Sequence, residues 1–270
     1  MDNRPIGVFD SGLGGLTAVR EIRAVLPAEN IIYFGDTSRV PYGGRSRDIL
    51  LRFARQDIHF LRSFDIKAIL VACGTVSTTA LPILQKENDL PVLGVVDPAC
   101  RQAVRATRNH KIGMIATVAS VRSGAYEAAI RALDPQAEVI SKACPLFVPL
   151  VENGHYRVGD VAVEAIAREY LLPLKQQGID TLIMGCTHYP LLRDVIAGIM
   201  GPDVALIDTG AEAARAIQTL LTEQDALCEK RAGRADFYAS DYTEDFTVMA
   251  GRFLQQELDV PAARVDIEKF

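Results

Sequence analysis

The chain has 270 residues, 49% hydrophobic and 23% charged, a net charge of −5 and five cysteines, and a chain of this length can bury roughly 75% of its unfolded surface. That balance excludes a disordered chain, and the absence of any run of about 18 uncharged apolar residues excludes a helical membrane protein. The negative charge, without a basic stripe interleaved with aromatics, argues against a nucleic-acid surface and for a small-molecule partner.

The opening "MDNRPIGVFD" enters a strand pattern within a few residues, so no signal peptide is expected. Five cysteines in such a chain point to free thiols in a reducing cytoplasm rather than to a disulfide framework. Strands are predicted at 6–10, 30–36, 67–73 and 91–96, alternating with longer amphipathic segments. A helix is predicted over 46–64, where Ile49, Leu50, Phe53, Ile58 and Leu61 fall near one face and Ser46 stands as the N-cap. The pattern restarts after Pro98, with strands at 110–117, 138–144, 180–186 and 203–208 and helices near 119–133, 157–177 and 190–200. Such alternation is the α/β signature of parallel strands joined by crossover helices. The second series mirrors the first, which predicts two units, 1–97 with 208–270 and 98–207. Their crossings would fall near Asp97-Pro98 and near 207, with the last helices returning to the first unit.

In parallel sheets, ligands bind outside the carboxyl ends of the strands. Asp10, Asp36, Cys73, Thr117, Cys186 and Asp208 all fall at such ends. A buried cysteine ordinarily acts as a small hydrophobe, and Cys100, Cys144 and Cys228 are read that way. Cys73 and Cys186 stand apart: a threonine follows closely after each, at 75 and 187, where a helix is expected to begin, and helix N-terminal amides lower a thiol pKa. "DSGLGGLTAVREI" (10–22) lacks the Lys-Ser/Thr of a P-loop and the glycine spacing of a dinucleotide fingerprint, so its glycines read as a tight turn that presents Asp10 and Ser11. The loop "GDTSRVPYGGRS" (35–46), with Pro41, Tyr42 and Gly43, offers backbone amides to a carboxylate or is an ordinary surface turn. His188, two residues after Cys186, lacks a C-x-x-C partner or a second histidine at ligand spacing, so proton transfer fits it better than zinc. Glu152 either orients His188 or is a solvated loop charge.

Together "GVFDSGLGG", "YFGDTSRVPYG", "CPLFVPLVE" and "GCTHYPLL" resemble the cofactor-independent glutamate racemases of the aspartate/glutamate racemase superfamily, over nearly the whole chain. The resemblance implies two pseudo-symmetric three-layer α/β domains with the active site between them. It makes Cys73 and Cys186 the acid/base pair on opposite faces of the substrate, with Asp10 assisting near Cys73 and His188 with Glu152 near Cys186. Asp36 is a weaker supporting candidate. Ser11, Pro41, Tyr42, Gly43, Gly74, Thr75, Thr117, Ser120, Thr187 and His188, with Asp10, match substrate-holding positions. It further implies no pyridoxal phosphate or metal, a D-glutamate product used in bacterial peptidoglycan synthesis, and leaves a homodimer open. Two positions depart from the pattern: Gly74-Thr75 replaces Asn-Thr, and Ala119-Ser120 replaces Gly-Thr. The lost asparagine amide leads to the expectation that Gly74→Asn raises kcat/KM for glutamate. The alternatives are a racemase of another acidic amino acid such as aspartate, or a ligand- or partner-binding relative without activity.

Overall fold

Five consecutive fully buried residues make β1 (Ile6–Asp10) an interior strand, as its unbroken apolar run requires of a parallel sheet covered on both faces. The structure, a computed structural model, describes residues 1–229, 232–241, 246–256 and 261–270, the side chains of 246–248 excepted. The described strands continue as β2 (Ile31–Gly35), β3 (Ala68–Val71), β4 (Val92–Gly94), β5 (Lys111–Ala116), β6 (Glu138–Ala143), β7 (Thr181–Met184), β8 (Ala205–Asp208), β9 (Ala235–Ala239) and β10 (Ala263–Arg264). They form two parallel sheets, one in the order β10-β9-β2-β1-β3-β4 and one in the order β6-β5-β7-β8.

Between them run α1 (Leu16–Val25), α2 (Arg47–Leu61), α3 (Gly74–Thr79), α4 (Leu81–Glu87), α5 (Val96–Ala106), α6 (Val118–Ser123), α7 (Ala125–Leu133), α8 (Phe147–Glu152), α9 (Val161–Gln176), α10 (Arg193–Met200), α11 (Thr209–Glu223) and α12 (Phe246–Leu254). One hydrophobic cluster takes residues from both sheets, joining Ile6, Val8 and Leu70 to Ile115, Leu182 and Met184 through α1, α9, α10 and α11. Separate clusters fill the other face of each sheet.

Several elements differ from the sequence expectation for identifiable reasons. The helix expected over 119–133 is two helices, α6 and α7, because Gly124 takes a left-handed φ of 65° between them. On α2 the buried face runs through Leu50, Phe53, Ile58 and Leu61, whereas Ile49 is 36% exposed. Ser46 occupies its N-cap position without a side-chain capping bond. Asp97-Pro98 lies inside the first turn of α5, where proline's missing N–H costs nothing. The returning C-terminal segment contributes strands β9 and β10 as well as helices, and β9 pairs with β2 from Ile31↔Ala235 to Gly35↔Ala239.

Candidate active site

The carboxyl ends of β1, β3, β5 and β7 converge on a cavity of about 1080 Å³. Ser11, Pro41, Tyr42, Gly43, Cys73, Gly74, Thr75, Thr117, Glu152, Cys186, Thr187 and His188 line it. Asp10 and Ser120, also expected to face the substrate, are fully buried behind that wall. Asp36 is buried away from it, receiving Arg39 and the Tyr42 hydroxyl.

Cys73 comes from the six-stranded sheet. It is the N-cap residue of α3, and the Ser11 hydroxyl lies 3.6 Å from its sulfur. The expected lowering of this thiol pKa is not found. Burial and then the neighbouring Asp10 carboxyl push it up to about 12, outweighing the Val76 amide and the Ser11 hydroxyl. A six-residue helix supplies too little field to reverse that order. Asp10 accepts the Gly12 N–H at 3.1 Å through Oδ2, and its Oδ1 has no hydrogen-bond partner among the described residues. Burial raises its pKa, opposed chiefly by the charge of His188.

Cys186 comes from the four-stranded sheet, and here no α-helix begins; the chain passes through a bend into a 3₁₀ turn over Tyr189–Leu192. Its sulfur lies 4.0 Å from His188 Nδ1, while His188 Nε2 lies 3.0 Å from Glu152 Oε1. Burial pulls the His188 pKa down, but its bonds to Cys186 and Glu152 together prevail and place it at about 10. Glu152 thus orients His188 from α8, and its side chain is 46% exposed.

The glycine loop after β1 is filled by protein. A Cβ at Gly14 would run into Thr187 Oγ1 and the His188 ring, and the Thr17 hydroxyl reaches the Thr187 carbonyl at 3.0 Å. Gly14 is therefore the point where α1 meets the Cys186 loop, and that contact leaves no phosphate cradle. Gly74 plays the corresponding part on the other strand end: a Cβ there would lie 2.6 Å from the Gly185 carbonyl oxygen.

A chain of hydroxyls closes one wall. Thr75 and Thr117 Oγ1 are 3.1 Å apart, Thr117 and Ser120 are 3.1 Å apart, and Thr78 lies 3.5 Å from Ser120. Ser120 thus supports Thr117 from behind.

The sequence reading missed Cys144, which is buried and lines the cavity with Pro145, Val148 and Pro149. Burial raises its thiol pKa. Its place at the end of β6 was the available signal, the same that singled out the other two. Arg45, Arg47 and Arg122 also border the cavity. Among the described residues no group of three or more His, Cys, Asp or Glu is arranged to hold a metal ion, and no helix is long and apolar enough to cross a membrane.

Residues 17–217 match the Asp/Glu/hydantoin racemase family. The chain is 43% identical over 268 residues to a glutamate racemase of Geobacter metallireducens, covering 98% of each chain. It is 44% identical over 262 residues to a glutamate racemase of Streptococcus gordonii, covering 96% of this chain and 98% of that one. The crystal structure of glutamate racemase from Francisella tularensis in complex with D-glutamate superposes with a TM-score of 0.92 at 39% identity, covering 100% of both chains. With identity of this order along its whole length, the protein belongs to the Asp/Glu/hydantoin racemase family, among its glutamate racemases, and is an amino-acid racemase, an isomerase.

Proposed function

We propose that the protein interconverts L- and D-glutamate by two-thiol proton transfer, with Cys73 and Cys186 as the acid and base. The observation that carries this reading is one cavity receiving a cysteine from each sheet, each backed by its own polar group: Ser11 and Asp10 behind Cys73, His188 and Glu152 behind Cys186. Inversion requires a proton to leave one face of the α-carbon and another to arrive at the opposite face. In one direction the Cys186 thiolate takes the α-proton, the electron pair passes into the substrate's α-carboxylate, and the Cys73 S–H protonates the other face. The Cys73 thiolate that results serves as base in the reverse direction. The raised pKa of Cys73 suits the donor role, and the positive charge of His188 suits a neighbour that becomes a thiolate.

Thr75, Thr117 and Thr187, with the backbone of Pro41–Gly43, bind the substrate's carboxylates and ammonium. No pyridoxal phosphate or metal takes part. We assign residues 1–97 with 208–270 and residues 98–207 to two units that flank the substrate, place the protein in the cytoplasm, and assign its D-glutamate to peptidoglycan synthesis.

In deuterated water the product enantiomer gains deuterium at the α-carbon, and chelators leave the rate unchanged. Cys73→Ser and Cys186→Ser each lower kcat by about 10²–10⁴-fold, the range general acid–base groups contribute. Racemisation without solvent hydrogen, or an active Cys186→Ser variant, would refute the two-thiol assignment.

A further inference from the structure

Tyr42 belongs to two environments. The residue lines the cavity with Pro41 and Gly43, and Gly43 packs so closely on Thr117 that a Cβ would lie 3.3 Å from the threonine Cβ. Its hydroxyl instead reaches buried polar groups that do not line the cavity. It donates to Asp36 Oδ2 and lies 3.4 Å from Asp57 Oδ2, on α2. Arg39 donates through Nε to Asp36 at 2.6 Å and through Nη2 to Asp57 Oδ1 at 3.1 Å. Its guanidinium carbon sits 4.2 Å from the centre of the Phe53 ring. The Ser240 hydroxyl, just past β9, donates to the other Asp36 oxygen at 2.8 Å. Both aspartates are fully buried and the Arg39 side chain is 9% exposed. Glu268, 3.6 Å from Arg39, is 73% exposed.

One guanidinium therefore faces two buried carboxyl groups. Burial, then the charge of Asp36, raise the Asp57 pKa well above its ordinary value, Asp10 adding to the rise and Arg39 and Tyr42 opposing it. Tyr42 has one proton to give; Asp36 is its closer acceptor, and Asp57 Oδ2 lies on its other side at 3.4 Å. The Tyr42 hydroxyl is thus held between the two carboxyl groups, and Arg39 donates to both of them.

We propose that Asp57, outside the cavity, is a positioning residue for the reaction, gripping with Asp36 and Arg39 the Tyr42 hydroxyl and so fixing the Pro41–Gly43 segment against the substrate. The inference rests on the racemase reading above. A segment held in its binding geometry before substrate arrives contributes equally to ground and transition states, so its loss appears in KM.

The test compares steady-state kinetics of the full chain with those of Tyr42→Phe, Asp57→Leu and Asp57→Asn, with the exposed Arg55→Gln as a reference. Tyr42→Phe and Asp57→Leu raise KM for glutamate about tenfold with kcat within about twofold, as loss of a hydrogen bond to a charged group predicts. Asp57→Asn, which keeps a donor and an acceptor in the same shape, stays within about threefold of the parent KM. Lower kcat at unchanged KM in Tyr42→Phe overturns the proposal, as does equal KM in Asp57→Leu and Asp57→Asn. If Asp57→Leu fails to fold, Tyr42→Phe decides alone. A parent that does not racemise glutamate refutes the functional reading instead. The grip is then read from trypsin cleavage after Arg45 and Arg47, which becomes about tenfold faster in Tyr42→Phe if the segment is released, and equal rates overturn it.

Discussion

At Gly74 even a methyl-sized group has nowhere to go, because the atom in its path is the Gly185 backbone oxygen, which cannot yield as a flexible side-chain tip can. This reverses the expectation that asparagine would restore a missing substrate contact: the side chain has to push α3 away from the β7 end before it can reach any ligand. Gly74→Asn lowers kcat/KM at least tenfold and lowers the melting temperature, overpacking of this kind costing about 1–3 kcal/mol. A variant with kcat/KM above the parent and an unchanged melting temperature would show that the two strand ends separate freely. His188 gives a second prediction, in pH. Its pKa is about 10 in the fold against 6.5 for an ordinary histidine, so the native state holds an extra proton between those values. Its stabilisation is complete below pH 6.5 and is lost as pH rises through 10. In denaturant titrations across that window, His188→Asn removes a slope of up to about 1.4 kcal/mol per pH unit, and identical slopes in the two proteins would contradict the raised value.

Among the elements, most of β1 to β8 were legible as short apolar runs between turn residues, since a strand buried on both faces needs no alternation to be recognised, while β6, with Glu138, Ser141 and Lys142 and no buried residue, was legible from its place in the repeating pattern. The strands the sequence reading missed are of another kind. β10 has two exposed residues, and β9 carries Asp236 and partly exposed positions after a polar stretch; only the open edge of β2 makes them strands. α8 was missed because it is six residues long with Pro149 inside it, too short for a periodic signal. It nevertheless delivers Glu152 to His188. For the site, the thiols and His188 were legible as strand-end chemistry. What depends on packing across the cavity was not: the upward pull of burial on Cys73, the place of Cys144 on the wall and the retreat of Ser120 behind Thr117. Capping follows the same division. Ser46 has the right position and makes no bond, whereas Asp208, read only as a strand end, accepts the Gly210 and Ala211 N–H groups at 2.9 and 3.2 Å and starts α11.

Across the whole molecule, the end remote from the cavity is held by a buried ion pair. Lys67 Nζ lies 2.6 Å from Glu29 Oε2 and donates to the carbonyls of Asp2 and Ala226 at 2.8 and 2.7 Å, while Glu29 accepts the Cys228 N–H at 2.7 Å. These contacts fasten the first residues and the chain after α11 to the six-stranded sheet. Lys67→Met leaves a buried carboxylate without its cation and costs about 3–5 kcal/mol, while Lys67→Met with Glu29→Leu regains part of it. Urea unfolding of the two variants measures the difference, and equal loss in both would mean that the backbone contacts, not the charges, carry the clip. The strand order of that sheet also governs how the chain emerges from the ribosome. β2 is complete at Gly35, yet its outer neighbour β9 begins at Ala235, about 200 residues and, at about 5–20 residues per second, roughly 10–40 s of synthesis later. Throughout that interval the apolar edge of "IIYFG" stands open as a template for foreign strands, and a product cut short before residue 235 never closes it.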